Sequence, residues 1–468
     1  LLEKFFEKGK LSEEEMRSGI HQAIQNQTFI PLFCTSATLN IGVDRLCDFI
    51  GKYGSSPDDR KTVMAHDDRG EDVKVSLDGS DTVIQIFKTI SESHMGELSL
   101  FRVYSGSVQT GKDYYNSVRN TNERFGQMFI LNGKNRTQVD QLFAGDIAGV
   151  VKLKDTHTGN TLCSGTHITL PPLNFPNPNI HAAIVPTAKG DEERLAIGLA
   201  TLHEEDPTFI YRVDSEVRQT IISGQGELHL KVTTERLKRR FGIDIELEET
   251  KVPYRETIMA NGAAKYRHKK QSGGAGQFAE VWLRIEPKQR GEGIEFTHSL
   301  VGQNVDRVFV ISVEKGVKSA CSDGLLAGCK VVDLKVEFYD GKMHPVDSKD
   351  IAFQTAGKHA FREAFRGAKP CLLEPILDIE VTVPEEYMGD IMGDISGRRG
   401  KVMGMDSDGS FQIIKAQVPQ AELYHYATTV RSLTGGRGLH SEAFSHYEKM
   451  PKENEMKVIA SRQENDNE

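Results

Sequence analysis

The spacing of apolar and polar positions divides the chain before any chemistry enters. Residues 180–185 read as a strand, and Leu195, Leu199 and Leu202 then recur at helical spacing over 192–203. Strands follow over 208–213 and 219–223, a helix over 226–240, and Ile243, Ile245 and Leu247 alternate in a last strand. Apolar residues recur every three to four positions on a helix stripe and every second position on a strand face. The predicted order is therefore β-α-β-β-α-β, a split βαβ sandwich. Residues 374–449 repeat it. Leu377, Ile379, Val381 and Val383 alternate, and Tyr387, Met388, Ile391, Met392 and Ile395 form a helical face. Phe411, Ile413 and Val418 mark a strand, 421–433 a helix, and 438–447 an extended segment.

Between the two repeats lies a strand, a projecting loop and a helix, over 331–366. Val332, Leu334, Val336 and Phe338 alternate with polar residues, and Asp340 with Gly341 is a turn signal. Asp347 or Ser348 is placed to cap the helix that follows, whose face is Phe353, Ala356, Ala360, Phe361 and Ala364. A further helix over 305–320 turns Val305, Val308, Phe309 and Val317 inward. Residues 82–171 give short strands (98–103, 114–118, 146–151) separated by Gly-rich turns, the pattern of a small β-barrel. At the start, Ser12 and Glu15 form a capping-box pattern that opens a helix to about Gln25. An apolar strand is expected over 29–33 and a second helix over 43–50. Residues 57–80 are charged and read as a linker. Residues 451–468 are charged, lack a core pattern, and are expected to be frayed or disordered.

Bulk properties narrow the classes. The 468 residues suggest roughly three to five domains. A net charge of −9 argues against a generally basic coat but leaves room for a local basic face. No apolar run approaches the roughly 18 residues of a membrane span. The six cysteines include no Cys-x-x-Cys pair, so reduced thiols and no metal site are expected. One stretch, Gly106 through Gly111, Lys112 and Asp113, approaches a phosphate-binding loop. Asp113 puts a carboxylate where the hydroxyl beside phosphate belongs, and the flanks read as a hairpin rather than strand then helix. No Asn-Lys-x-Asp guanine-reading motif is present. Lys265 to Lys270 is a dense basic run with Tyr266 inside it, followed by Ser272, Gly273, Gly274, Ala275, Gly276 and Gln277. Charge and backbone permissiveness together suit contact with nucleic-acid phosphates, as well as a plain hairpin tip.

Several of these stretches resemble the elongation factor G family. Tyr339, Asp340, Gly341, His344, Val346, Asp347 and Ser348 match the tip pattern of its fourth domain, with departures at Pro345, Lys349 and Asp350. The family's other tip loop reads Ser-Gly-Gly-Arg-Gly-Gln-Tyr; Ala275 and Phe278 stand here for the Arg and Tyr. Gly96, Leu98 and the run Arg102 to Gly106 resemble its second domain. Gln219 to Leu230 resembles its third, and the Gly-flanked Arg398, Arg399 and Arg437 its fifth. Cys34, Thr35, Ser36 and Ala37 resemble the family's Cys-Gly-Ser-Ala turn, which touches guanine.

The resemblance implies a multi-domain α+β protein: a β-barrel followed by two ferredoxin-like split βαβ domains that flank a βαβ-containing ribosome-tip domain. The implied map is 1–56 for the end of a GTPase domain, 57–80 a linker, 81–174 the barrel, 175–251 the third domain, 252–372 the tip domain, 373–450 the fifth and 451–468 a tail. Most of the GTPase domain would lie outside these residues, and with it the binding of GTP and Mg2+; the residues present would hold no cofactor and not be catalytic. The implied role is a monomeric, cytoplasmic translocation factor. Its partners would be ribosomal RNA, transfer and messenger RNA in the A site, and ribosomal proteins near the GTPase centre, with no membrane. The implied RNA contacts are Ser272 to Gln277, His344, Pro345, Val346, Asp347 and Ser348, with Lys269, Lys270, Arg398, Arg399 and Arg437 as further candidates. His344 would be a contact, not a general base. Ser36 and Ala37 would meet the guanine. Ribosome recycling, ribosomal protection against antibiotics, or RNA binding without GTPase action are the alternative roles.

Overall fold

The computed structural model describes residues 2–92, 96–188, 190–270 and 276–465. The chain forms two compact units, Leu1–Phe175 with Ala200–Pro207, and Pro176–Leu199 with Thr208–Glu468.

The first unit is built around an eight-stranded antiparallel sheet. Ile84, Phe101, Tyr114, Met128, Val150 and Leu162 come from six different strands of that sheet, yet share one core with Phe125. Such sharing requires the sheet to curl on itself, which is the barrel the alternation predicts. The expected linker is corrected: Thr62–Asp67 and Asp72–Ser76 form an antiparallel hairpin. Its charged tip looks like a linker in sequence, but Ala65 and Val75 face a small core with Val83, Cys163 and Ile168. The helix Glu13–Gln25 starts at Ser12 with both capping-box bonds made, and Val43–Tyr53 is the second helix. The strand expected over 29–33 does not form. Ile30 and Leu32 are 87% and 93% exposed, and no described strand lies beside them to supply ladder hydrogen bonds.

In the second unit, both split βαβ patterns fold as their periodicities dictate. Ile180–Pro186, Ile210–Asp214, Gln219–Gly224 and Ile245–Glu248 form a four-stranded antiparallel sheet. The helices Glu192–Glu205 and Glu227–Phe241 complete that motif. In the later repeat the strand Pro370–Pro384 is central and pairs on its two sides with Phe411–Pro419 and Leu439–Lys449. The helix expected over 421–433 is shorter, Tyr426–Leu433, after a single turn of tighter helix at Gln420–Glu422. The expected frayed tail is also corrected. Lys452–Asn465 is a helix whose Val458 and Ile459 pack, as Tyr254 does, against the cluster of Leu372 and Met450, and Glu455 accepts the Leu372 amide at 2.9 Å. Two apolar residues one position apart are too few to register as a helical face in sequence.

Between the repeats, the strands Gly262–Lys270, Gln277–Pro287, Leu334–Lys342 and Ile294–His298 form a sheet in that order, and the last two run parallel. The helix Val308–Asp323 makes the crossover, and with Asp350–Gly367 it covers one face of the sheet. Their shared core is fully buried around Val281, Leu283, Val336, Phe338, Phe353 and Phe361.

The cysteines divide sharply. Cys34 and Cys47 are exposed; Cys163, Cys321, Cys329 and Cys371 are buried. Burial pushes the Cys321 thiol up to about 12 and the Cys329 thiol up to about 11. Since only thiolates attack, a thiol-exchange reagent is expected to titrate Cys34 and Cys47 quickly in the native protein and the other four only after denaturation.

Candidate nucleic-acid interface

The projecting end of this middle domain is made by two chain segments that brace each other. One is the loop over 343–349; the other is the start of the strand Gln277–Pro287. Ser348 joins them. Its hydroxyl donates to the Phe278 carbonyl at 2.8 Å and accepts the His344 amide at 2.8 Å. The Phe278 amide donates to the Asp347 carbonyl at 3.0 Å. His344 Nδ1 accepts the amides of Val346 and Asp347 at 3.3 and 3.2 Å. A ring nitrogen that accepts two amides carries no proton of its own. The nearby Asp347 carboxylate, 3.4 Å from the same atom, is therefore a neighbour and not a salt-bridge partner. His344 props the loop open, with Phe278 edge-on to its ring at 6.2 Å.

Two local expectations are corrected. Asp340 and Gly341 are not a turn but lie within the strand Leu334–Lys342, opposite Trp282 and Val281. Gly341 is needed there because an added Cβ would fall 2.4 Å from the Glu280 carbonyl oxygen. Neither Asp347 nor Ser348 caps the next helix. Lys349 occupies the cap position without a side-chain bond, because Ser348 is already engaged in the loop. Asp350 in the first turn instead accepts the Ser312 hydroxyl at 2.7 Å. That ties the loop's exit to the neighbouring helix.

Of the other candidates, Gly276 lies beside the Asp347 carboxyl, and Gln277 pairs with His268 at 3.0 Å. Ser272, Gly273, Gly274 and Ala275 lie outside the described residues. Pro345 and Val346 are exposed at the loop apex, and Lys269 and Lys270 are exposed at the hairpin end. These stand together with His344, Asp347 and Ser348. The three arginines do not join them and are committed locally. Arg399 bonds Glu374 through two nitrogens at 2.9 and 2.8 Å and reaches Glu422 at 2.9 Å, and the bonds to Glu374 push its guanidinium above the usual range. Arg398 bonds Asp394 at 2.8 Å and lies 4.8 Å from the Tyr426 ring centre. Arg437 bonds both Glu386 and Tyr387 at 2.6 Å.

The phosphate-loop look-alike at 106–113 does not have the form of a phosphate cradle. The amides around the phosphate-loop look-alike are spent on the barrel: Thr110 donates to Asp140 at 3.0 Å and Gly111 to Phe125 at 2.7 Å. Asp113 pairs with Arg124 across a hairpin. Ser36 and Ala37 form a turn closed by a Ser36–Ile41 bridge, with the Leu39 amide on the Ser36 hydroxyl at 3.3 Å. Such a turn offers edges to a base but no cradle for phosphate. Among the described residues no group of three or more His, Cys, Asp or Glu side chains is placed to hold a metal ion. No described helix is long and apolar enough to cross a membrane. A cleft of about 620 Å³ runs along the two split βαβ sheets; among its lining groups Arg255 pairs with Glu216 at 3.1 Å and His181 with Glu442 at 3.0 Å.

A barrel, a split βαβ domain, a braced tip domain and a second split βαβ domain, in that order, are the layout of a multidomain translation factor. Comparison with known proteins agrees segment by segment. Residues 81–165 match elongation factor G domain 2, 175–249 domain III, 250–369 domain IV, and 371–458 the elongation factor G C-terminus. A crystal structure of a Thermus thermophilus protein superposes with a TM-score of 0.77 at 32% identity, covering 99% of this chain and 67% of that one. The chain belongs to the elongation factor G family.

Proposed function

We propose that the protein promotes movement of transfer and messenger RNA on the ribosome, with the tip formed by 343–349 and the adjoining hairpin entering the A site. The observation that carries this reading is the bracing of the tip. Ser348 and His344 hold the loop in one conformation through side chain–backbone bonds, while Pro345 and Val346 project into solvent. An element that must occupy space vacated by RNA, and resist its return, needs stiffness more than reactivity. GTP binding and hydrolysis, which the family implies, would use groups outside those described here, and the cytoplasm is the compartment this reading assigns.

The test is single-turnover translocation on pre-translocation ribosomes, with the full-length protein, GTP and a non-hydrolysable analogue. Ser348→Ala and His344→Ala are each expected to slow translocation on the order of tenfold through lost preorganisation of the tip, with ribosome binding retained. Ribosome binding with no translocation by the unaltered protein would overturn the reading in favour of recycling or antibiotic protection.

A further inference from the structure

The outer face of the tip domain's sheet carries the chain's single tryptophan, Trp282. Strand alternation sorts the basic run Lys265 to Lys270 between the two faces. Tyr266 turns inward and stacks on His359 at 4.7 Å; Lys265, Arg267 and Lys269 turn outward and are exposed. Trp282 is the cross-strand partner of Lys265, whose ammonium lies 5.5 Å from the indole centre. Tyr339, on the next strand, meets Trp282 edge-on at 6.1 Å. The Arg284 guanidinium lies over the Tyr339 ring at 4.1 Å. Three adjacent strands thus present two half-buried rings bordered by four cations.

The platform is held in place by an acid on the same face. Trp282 Nε1–H donates to Glu280 at 2.9 Å, and Arg267 pairs with the same carboxylate. Burial alone would raise the Glu280 carboxyl; those two partners outweigh it and hold the carboxyl below its usual value. Glu280 is thereby spent within the sheet. Glu337 stands 3.7 Å from Arg284, and Asp340 lies opposite Trp282 on the neighbouring strand.

We propose that this face is a stacking platform for single-stranded RNA, in which bases lie on Trp282, Tyr339 and the Arg284 guanidinium while Lys265 and Lys269 meet the phosphates. Charge complementarity selects the occupant: a cationic, ring-bearing face in a chain of net charge −9 suits a polyanion with exposed π-faces. Single strands are favoured over duplex because paired bases keep their faces inside the stack. The inference rests on the ribosomal reading only for where such RNA is met.

Trp282 supplies its own reporter. Titrating the full chain with a short oligouridylate strand is expected to quench tryptophan emission saturably, whereas the same strand annealed to oligoadenylate quenches weakly. Tyr339→Ala is expected to weaken binding about tenfold. Lys265→Ala, an exposed change that spares the core, is expected to lower the salt dependence by about one phosphate contact. Equal quenching by inorganic polyphosphate, or binding unchanged in both variants, would overturn stacking. Absence of quenching in a protein that translocates normally would overturn the platform and leave the ribosomal reading standing. Quenching in a protein that fails to translocate would support the platform while that reading falls.

Discussion

Glu256→Ala is expected to destabilise the second unit by about 4 kcal/mol, because buried amides left without acceptors cost about 1–3 kcal/mol each and four would be orphaned together. The Glu256 side chain is fully buried and accepts the amides of Leu325, Leu326, Ala327 and Cys329 at 2.6, 2.8, 2.9 and 2.9 Å. Those amides follow the helix Val308–Asp323, where the chain turns back toward the sheet. Glu256 itself sits on the strand Arg255–Ile258, which pairs with Pro370–Pro384 of the following domain. One carboxylate therefore fixes a loop of the tip domain to a strand shared with its neighbour. Water entering the space left by Ala would satisfy part of the deficit, which is why the figure lies at the lower end of the roughly 4–12 kcal/mol that the separate costs span. Glu256→Gln is the sharper probe. It keeps the volume but turns an amide nitrogen toward two amide donors, so it is expected to rescue less than half of the loss. Denaturant unfolding followed by far-ultraviolet dichroism measures both. Wild-type stability in the glutamine variant would mean that shape, not the acceptor pair, holds the loop.

Nothing in the sequence marks Glu256 as different from any other acid, because its four partners lie some seventy positions away. That limit runs through the molecule. Local periodicity was enough for both split βαβ repeats, for the helix capped by Ser12, and for the alternation around Leu334, Val336 and Phe338. It failed where an element's status depends on a distant partner. Residues 29–33 have the composition of a strand and nothing described to pair with; the hairpin Thr62–Asp67 and Asp72–Ser76 has a linker's composition and a core waiting for it. The tip loop was legible through family resemblance, and its bracing was not, since the Ser348 bond to Phe278 spans seventy residues. The outer platform was half legible. The basic run was visible, but its aromatic in sequence, Tyr266, faces inward, and the rings that stand with its lysines come from two other strands.

Gly316→Ala is the second substitution expected to act strongly, at about 3 kcal/mol, the upper end for overpacking a core that has no room to yield. An added Cβ would lie 2.1 Å from the Gln354 carbonyl oxygen and 2.9 Å from its carbon. Backbone, not a flexible side chain, is what it meets. The helices Val308–Asp323 and Asp350–Gly367 touch through glycine on both sides, for Gly357 approaches the Val313 carbonyl in the same way. They can absorb a methyl group only by separating. Separation strains the Ser312–Asp350 bond, and Asp350 begins the helix directly after the tip loop. The substitution is therefore expected to reach function by displacing the tip, slowing translocation more than its effect on ribosome binding would explain. Trp282, on the far face of the same sheet, reports the packing defect through its emission, and denaturant unfolding reports the loss of stability. Gly367→Ala is the matched control, since nothing lies within 4 Å of its added Cβ. It is expected to leave both stability and translocation near their starting values. If Gly316→Ala behaved like this control, the helices would have room to yield, and the tip's position would not depend on their contact.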